Sequence, residues 1–340
     1  MNEPKYAAVA QKLREGIRTG QYPRGHKLPS ENELASQTGF SRQTIRQAMA
    51  LLENEGLTER IRGSGTYVKK AFSYREQTHN IAVVTTYIGE YIFPAILHGI
   101  SSVLSQNGYT PLLSATQNRV DTEREVLKSL MNKPIDGIIV EGTKTAIPNP
   151  NIDLYEEFEK KGIPVVFVNG YYADLKHPVY VVMNDRDGGR LACEQLLREG
   201  HKHIAGFFKS DDIQGHRRYA GYAEALVKAG LSVEDNHVLW YTTENRDLLI
   251  KSSAREVMQG CTAAVCYNDE TALMAIAACE GMDVSWISFD QSAYARMPGS
   301  PFRSLGNPKE VVGQMAAEKL MNMLSGRNEQ PIVLPWSPMA

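Results

Sequence analysis

The sequence Leu28-Pro-Ser-Glu-Asn-Glu-Leu34, followed closely by Ser41-Arg-Gln-Thr-Ile-Arg46, decides the fold of the N-terminal part of this chain. A serine with a glutamate three positions later, as in the first stretch, is the spacing of a capping box that opens a helix. Gly39 favours the left-handed turn that ends such a helix. Ser41 can cap a further helix over residues 42–54, because its hydroxyl can accept a backbone hydrogen bond. The pattern predicts two helices joined by a tight turn.

The flanking residues extend this pair of helices into a larger motif. An apolar stripe with helical spacing predicts a preceding helix over residues 6–18. Two short alternating segments, 57–62 and 66–69, come after the pair and are joined by Gly63-Ser-Gly65, which predicts a two-stranded wing. We therefore predict a winged helix-turn-helix domain over residues 1–70, called the head below.

The predicted motif is chemically suited to DNA. A helix N-terminus presents unpaired backbone N–H groups and the positive end of a dipole, and both attract phosphate; Ser30 and Ser41 open two helices in this way. Side chains on the first turns of the third helix reach base edges in the major groove. The residues at those positions are Arg42, Gln43, Thr44 and Arg46. Arg62 and the wing glycines would let a DNA backbone approach closely.

The head resembles the GntR family of bacterial regulators. The matching stretches are Leu28–Leu34, Ser41–Arg46, Leu52-Glu-Asn-Glu-Gly-Leu57 and Gly63-Ser-Gly-Thr-Tyr-Val68. The resemblance implies DNA contacts from Glu31, Arg42, Gln43, Arg46, Arg62 and Gly65. Because the family often has arginine where this chain has Asn32, we expect a phosphate contact there to be weaker or different. The alternative is a winged helix that contacts only protein.

The distribution of charge agrees with a DNA-binding head. The whole chain of 340 residues has a formal net charge of −2, which by itself argues against a nucleic-acid binder. Residues 1–75, however, carry 13 Lys and Arg against 7 Glu and no Asp, a net charge of +6, and the remainder carries −8. A basic segment on an acidic body predicts that only the segment meets a polyanion.

Other features of composition narrow the class of protein. No apolar run approaches the roughly 20 residues that a membrane helix needs, and the first residues lack the pattern of a secretory signal. Four cysteines give no disulfide framework. We therefore expect a cytoplasmic protein without a membrane partner. Residues 71–79 are polar and patternless, which predicts a linker.

From Asn80 onward the sequence alternates between strand-like and helix-like segments. Ile81-Ala-Val-Val-Thr85 and residues 135–140 are buried-type strands, and helices are predicted between them and after them. The same alternation recurs in the second half of the chain. Alternating strands and helices predict parallel sheets with helices on both faces. Two such halves predict two lobes, with a ligand in the crevice at the carboxyl ends of the strands.

This alternating region resembles the LacI/GalR effector-binding domain, which is itself similar to periplasmic sugar-binding proteins. The matching stretches are Ile135-Asp-Gly-Ile-Ile139, Gly200-His-Lys-His-Ile204, Arg218-Tyr-Ala-Gly-Tyr222, Asn268-Asp-Glu-Thr-Ala-Leu273 and Ile287-Ser-Phe-Asp290. The resemblance implies that Arg218, Asn268 and Asp290 bind a small effector. The predicted fold class is α/β: a winged helix-turn-helix followed by a two-lobed, periplasmic-binding-protein-like domain over residues 80–340 that also dimerises.

A sugar effector would need donors and acceptors at strand ends and an aromatic face on which to stack. The aromatic candidates are Tyr87, Tyr91, Tyr171 and either Trp240 or Tyr241. A GntR-type head on a LacI-type body, with Val140-Glu-Gly-Thr-Lys-Thr-Ala-Ile-Pro-Asn-Pro150 and Val168-Asn-Gly-Tyr-Tyr172, resembles the arabinose-responsive repressors of Gram-positive bacteria. That resemblance implies Glu141, Lys144 and Asn169 as further effector contacts. Asn307, before the final helix, is a candidate hydroxyl partner.

Several residues with possible chemistry have simpler interpretations. Asp185-Arg-Asp-Gly-Gly189 could hold a cation, but a helix start capped by Asp187 fits better. His201 and His203 are interpreted as the start of a strand and Cys261 with Cys266 as core residues. The sequence has no Gly-x-Gly-x-x-Gly motif and no Walker-type lysine. We therefore predict no cofactor, no metal and no catalytic residues.

Taken together, these patterns predict a transcriptional repressor of carbohydrate-utilisation genes. It would bind a palindromic operator as a homodimer and be released by a pentose, L-arabinose, bound between the lobes. A sugar-binding transport receptor would share the body but should have a signal peptide and no basic head. A sugar-processing enzyme would need a catalytic group in the cleft.

Overall fold

The computed structural model describes residues 4–23, 25–69, 77–89 and 91–337. The head contains three helices and a two-stranded antiparallel sheet. Their bounds are α1 (Lys5–Arg18), α2 (Glu31–Thr38), α3 (Arg42–Asn54), β1 (Thr58–Ile61) and β2 (Gly65–Val68). The winged helix-turn-helix that the sequence predicts is thus the architecture of this part of the chain.

The predicted helix caps of the head are confirmed. The Ser30 hydroxyl accepts from the Glu33 amide while the Glu33 carboxylate accepts from the Ser30 amide at 2.7 Å, which completes the capping box. Gly39 ends α2 in the left-handed conformation, with φ of 72°. The Ser41 hydroxyl accepts from the Thr44 amide and caps α3. The apolar faces of the three helices and the wing form one core around Ile45 and Leu52.

Lobe one is a six-stranded parallel sheet in the order β13-β7-β6-β5-β3-β4. Its strands are β3 (Asn80–Thr85), β4 (Thr110–Ala115), β5 (Gly137–Val140), β6 (Val165–Val168), β7 (Val179–Met183) and β13 (Ile332–Leu334). Its helices are α4 (Phe93–Gln106), α5 (Val120–Met131), α6 (Ile152–Lys160) and α11 (Lys309–Leu324). Alternate strand residues are buried on opposite faces, as Ile81 and Ala82 show, because helices cover both sides of the sheet.

Lobe two is a five-stranded parallel sheet in the order β12-β11-β10-β8-β9. Its strands are β8 (Ile204–Lys209), β9 (Val238–Tyr241), β10 (Ala263–Cys266), β11 (Ser285–Phe289) and β12 (Arg303–Leu305). Its helices are α7 (Asp185–Arg198), α8 (Ile213–Lys228), α9 (Arg246–Val257) and α10 (Asp269–Ala278). The chain enters this lobe after β7 and leaves it before α11. Lobe one is therefore built from two separate segments of the chain, and lobe two from the segment between them.

Some details of the fold differ from the sequence predictions. Asp187 is not the cap of α7; Asn184 is, and its side-chain oxygen accepts from the Asp187 amide at 3.3 Å. Because Asn184 caps it, the helix begins two residues before Asp187, at Asp185, whose carboxylate pairs with the buried Arg218. His201 and His203 precede β8, which begins at Ile204. Cys261 and Cys266 are buried free thiols.

The predicted linker is only partly described. Residues 71–76 lie outside the described residues. Thr78 and His79, at the end of the predicted linker, are attached to lobe one, because their amides donate to the Asp136 carboxylate at 2.9 Å. Within the described parts of the chain, no helix has the length and hydropathy to cross a membrane.

Candidate functional site

A cavity of about 200 Å³ lies between the two lobes. The carboxyl ends of parallel strands from both sheets border it, as the sequence predicts for a doubly wound fold. Nine of the eleven predicted effector residues line this cavity. They are Tyr87, Tyr91, Glu141, Asn169, Arg218, Tyr241, Asn268, Asp290 and Asn307. The structure thus brings together residues that are more than 200 positions apart in sequence. That these residues bind an effector stays a prediction.

Arg218 is the most completely enclosed cation of the cavity wall. Its Nε donates to Asp185 at 2.8 Å and its Nη1 to the carbonyl of Tyr267. Its guanidinium also lies over the rings of Phe289 and Trp336, with its Cζ 4.5 Å and 4.9 Å from their centroids. An arginine fixed on several sides presents its remaining N–H groups in one orientation, which is what recognition of adjacent hydroxyls requires.

On the side of lobe one, Glu141 and Asn169 form a buried pair at the ends of β5 and β6. The Asn169 side chain donates to Glu141 Oε1 at 2.8 Å, and the amide of Thr86 donates to Oε2 at 3.1 Å. Burial raises the pKa of Glu141, although the hydrogen bonds from Thr86 and Asn169 oppose the rise. The pair places an acceptor and an amide side by side on the cavity wall.

Across the cavity, Asp290 and Asn307 end the neighbouring strands β11 and β12 of lobe two. Tyr91, which follows β3 of lobe one, donates to Asp290 Oδ2 at 2.9 Å and so reaches across the cleft. The side-chain oxygen of Asn307 is buried and has no hydrogen-bond partner among the described residues. A buried acceptor without a partner costs stability, and a hydroxyl donor bound in the cavity would satisfy it.

Asn268 and Tyr241 line the cavity but are partly engaged with the protein. The Asn268 side-chain oxygen accepts from the Thr271 amide at 2.9 Å and caps α10. The Tyr241 hydroxyl pairs with the Thr271 hydroxyl at 2.6 Å. We infer that Asn268 can offer only its NH₂ group to a ligand and Tyr241 mainly its ring.

Two predicted effector residues lie outside the cavity wall. Lys144 pairs with Glu244 at 2.5 Å and lies 3.9 Å from Asp211, so its ammonium group bridges the two lobes. Tyr171 stacks on Tyr180, with ring centroids 3.9 Å apart, and accepts from the Arg217 side chain. Trp240, the alternative to Tyr241, packs against His216 and Tyr219 on the outer side of β9.

The cavity also contains charged residues that the sequence analysis missed. Lys209 ends β8, and its buried ammonium group lies 2.5 Å from Asp212. Burial lowers the pKa of Lys209, but the carboxylates of Asp212 and Asp211 outweigh that effect and raise it. Arg246 joins the rim and pairs with Glu270. Lys209 ends a strand and Asp212 follows it closely, as Glu141 and Asn169 follow theirs, but the resemblance that implied Glu141 and Asn169 did not include Lys209 or Asp212.

The charge of the cavity wall is acidic overall. Three cationic side chains face five carboxyl groups. The cations are Lys209, Arg218 and Arg246, and the carboxyl groups belong to Glu141, Asp185, Asp212, Glu270 and Asp290. Such a wall disfavours an anionic ligand and suits a neutral ligand that both donates and accepts hydrogen bonds. Among the described residues, no three His, Cys, Asp or Glu side chains are grouped to hold a metal ion.

In the head, the predicted DNA-contacting residues belong to α2, α3, their caps and the wing. Arg42, Gln43 and Arg46 are exposed on α3, and Arg62 is exposed beside the wing turn. Glu31 at the start of α2 accepts from Arg46 at 3.0 Å and lies 3.7 Å from Arg60. The carboxylate therefore orients the Arg46 guanidinium at the exposed side of the third helix.

The tip of the wing is closed by Gly65. Its φ is 132°, and a Cβ atom at this position would lie 2.5 Å from the Lys27 side chain. The φ angle favours glycine, whereas the flexible end of the Lys27 side chain could move aside. Ser30 and Ser41 occupy the predicted helix starts, where their hydroxyls cap α2 and α3, and the Thr44 hydroxyl hydrogen-bonds the Ser41 hydroxyl.

Comparisons with known proteins match the two parts of the chain separately. Residues 5–68 match the family of bacterial regulatory proteins, gntR family. Residues 78–334 match the family of periplasmic binding proteins and sugar binding domain of the LacI family. Both matches agree with the division into a winged helix and a two-lobed body.

Two characterised relatives match nearly the whole chain. The arabinose metabolism transcriptional repressor of Geobacillus stearothermophilus is 37% identical over 97% of this chain and 93% of its own length. The arabinose metabolism transcriptional repressor of Halalkalibacterium halodurans is 34% identical over 95% of this chain and 90% of its own.

Solved structures show the same fold. The transcription regulator CcpA of Lactococcus lactis aligns with a TM-score of 0.67 and 24% identity, over 77% of this chain and 97% of that chain. A transcriptional regulator CelR–cellobiose complex aligns with a TM-score of 0.67 and 19% identity, over 92% of this chain and 98% of that chain. At these identities the likeness extends to the fold alone.

Proposed function

This chain belongs to the bacterial transcriptional repressors that join a GntR-type DNA-binding head to a LacI-type sugar-binding body, and we propose that L-arabinose, bound between the lobes, releases it from its operator. Like these relatives, the chain is a sugar-responsive DNA-binding regulator and not an enzyme. The names of those relatives support arabinose as the effector.

The observation that carries the proposal is the composition of the interlobe cavity. Its volume of about 200 Å³ is below the range of about 300–1,000 Å³ typical of drug-sized ligands, and it suits a single small sugar. Arg218 and Asn169 supply oriented donors, while Asp290 and the buried oxygen of Asn307 supply acceptors. A pentose, with a hydroxyl on nearly every carbon, can satisfy donors and acceptors on both lobes at once.

The acidic balance of the wall favours an unphosphorylated pentose. A sugar phosphate would bring two negative charges against five carboxyl groups and only three cations. Arg218 and Lys209 are already paired with Asp185 and Asp212, so neither can neutralise a phosphate without giving up its partner. The effector proposed here is therefore the sugar itself and not a phosphorylated metabolite.

The proposed operator interface consists of the DNA-contacting residues predicted on α2, α3 and the wing. A homodimer would place two copies of α3 in successive major grooves, which explains why a palindromic operator is expected. Sugar contacts to both lobes would stabilise the cleft in its closed arrangement. The closed arrangement must bind operator less well than the open one for the sugar to act as an inducer.

The proposal is tested by measuring both activities on two variants. Titration calorimetry of the wild type with L-arabinose, other pentoses and arabinose 5-phosphate should show binding of L-arabinose and none of the phosphate. Arg46→Ala should abolish operator binding in a gel shift and leave arabinose affinity unchanged, while Asp290→Ala should do the reverse. Operator binding that strengthens on addition of arabinose, or two variants that each lose both activities, would contradict the proposal.

A further inference from the structure

The N-terminus of α8, the helix that carries Arg218, lacks a cap from its own lobe. Asp212 occupies the N-cap position and is a residue type that caps well, but its carboxylate makes no capping hydrogen bond. That carboxylate is turned toward the Lys209 ammonium group at 2.5 Å and the Tyr267 hydroxyl. An N-cap side chain accepts from the second or third amide of a helix, so the first amide, at Ile213, needs an acceptor from elsewhere whichever way Asp212 turns.

The acceptor comes from the opposite lobe. Thr145, in the loop between β5 and α6 of lobe one, accepts from the Ile213 amide with its hydroxyl at 3.1 Å. The neighbouring Ala146 amide donates to the carbonyl of Asp211 at 3.1 Å. Because the partners belong to different lobes, α8 is capped in this way only when the lobes are together.

The loop that carries Thr145 is held rigidly from beneath. Glu123, fully buried, accepts from the side chains of Asn149, Asn151 and two tyrosines, of which Tyr172 is 2.6 Å away. The Tyr172 hydroxyl in turn accepts from the Thr143 amide at 2.7 Å. The loop is therefore fixed on both sides of Thr145 by hydrogen bonds within lobe one.

Two glycines of the cavity wall, Gly142 and Gly170, pack closely against Thr145. A Cβ atom on Gly142 would lie 2.7 Å from the Thr145 methyl carbon, and one on Gly170 would lie 3.1 Å from it. The threonine methyl thus packs against the backbone that borders the sugar cavity. The same side chain contacts the first-lobe wall and the start of the second-lobe helix.

From this geometry we propose that Thr145 is a positioning residue of the sugar site: across the cleft it accepts the first backbone N–H of α8 and so holds that helix, which carries Arg218, against lobe one in the closed arrangement. The inference rests on the proposed function of the cleft. Removal of an N-cap weakens a helix by an amount that corresponds to about a fivefold change in an equilibrium constant. The loss would fall on the closed arrangement alone.

Thr145→Val keeps the methyl packing and removes the hydroxyl, so it tests the hydrogen bond directly. We expect its dissociation constant for L-arabinose to rise about fivefold, and the arabinose concentration that releases operator to rise equally. Thr145→Ser, which keeps the hydroxyl, should stay near the wild type. Thr122→Val, on α5 of the same lobe and outside the cleft, is the matched control and should also stay near the wild type.

Ile213→Pro removes the donor from the other lobe. Proline fits the first position of a helix, and Asp212 before it is already extended, with ψ of 138°. We expect the same fivefold loss as in Thr145→Val, relative to Ile213→Ala as the control for the side chain. The double variant should bind L-arabinose no more weakly than either single variant, because both substitutions remove the same hydrogen bond.

The readouts separate positioning from a general structural role. Without sugar, the melting temperature and operator affinity of Thr145→Val should equal those of the wild type, and a lowered value of either would overturn the proposal. Wild-type arabinose affinity in both Thr145→Val and Ile213→Pro would also overturn it while leaving the proposed function intact. A wild type that binds no pentose, with Arg218→Ala as the non-binding reference, would overturn both.

Discussion

Asp185 and Arg218 illustrate, at the scale of single residues, how the cleft holds charge in its interior. Both side chains are almost fully buried and 2.8 Å apart. Burial raises the pKa of Asp185 to about 6, even though the positive charge of Arg218 opposes the rise. The carboxyl group is therefore ionised at neutral pH but takes up a proton under mildly acidic conditions.

This raised pKa predicts how stability depends on pH. The carboxyl group binds its proton more tightly in the folded chain than in the unfolded one, where its pKa is about 3.9. Its contribution to stability is therefore full below pH 4 and is lost as the pH rises through about 6. Between pH 5 and 7.5, the free energy of unfolding of the wild type should fall relative to that of Asp185→Asn by about 1 kcal/mol. Urea unfolding followed by tryptophan fluorescence measures this difference, and a difference independent of pH would contradict it.

Sequence reasoning found the residues of the cleft that follow strands and missed what depends on the approach of the two lobes. Glu141, Asn169 and Asp290 end strands, and parallel strands bring their ends to one edge. Lys144 also follows a strand, but it pairs with Glu244 of the other lobe. A pairing between residues 100 positions apart leaves no periodic signal in the sequence. The orientation of the Lys144 side chain, away from the cavity and toward Glu244, could therefore not be predicted.

At the scale of elements, the start of α3 combines a structural and a DNA-binding role in Ser41. Its hydroxyl caps the helix, and the prediction from sequence also places it beside phosphate. Asp caps a helix as well as Ser does, but its negative charge would repel a phosphate. Ser41→Asp should therefore keep the melting temperature of the head within about 2 °C of the wild type, since the cap is retained.

The same variant should lose operator affinity by at least tenfold in a fluorescence anisotropy titration. Ser41→Ala serves as the comparison, because it removes the cap without adding charge and should destabilise α3 by about 1 kcal/mol. If Ser41→Asp bound operator as tightly as the wild type, Ser41 would be a cap only and would lie away from the DNA.

Elements with strong local signals were predicted almost to the residue, and those that depend on a partner were not. The bounds of α2 and α3 follow from their serine caps and, at the end of α2, from Gly39. By contrast, β12 and β13 have three residues each and exist because they pair with β11 and β7. Three apolar residues carry no period, so such edge strands cannot be distinguished from loops in a sequence.

For the whole molecule, the separation of charge assigns DNA binding and sugar binding to different parts of one chain. Residues 1–75 carry +6 and the remainder carries −8, so the body repels the phosphate backbone that the head attracts. The two activities can then influence each other only through the conformation and assembly of the body. The coupling can therefore be measured either as the effect of sugar on operator affinity or as the effect of operator on sugar affinity.

The last prediction is that this coupling is reciprocal. If saturating L-arabinose weakens operator affinity by a given factor, expected in the range of about 5–150, bound operator must weaken arabinose affinity by the same factor. Fluorescence anisotropy with and without sugar gives the first factor, and calorimetric titration of sugar into the protein–operator complex gives the second. Asp290→Ala should retain operator affinity but show a factor near one. Because linkage requires equality for any coupling between the same states of the protein, two unequal factors would mean that the two titrations compare different assembly states of the repressor.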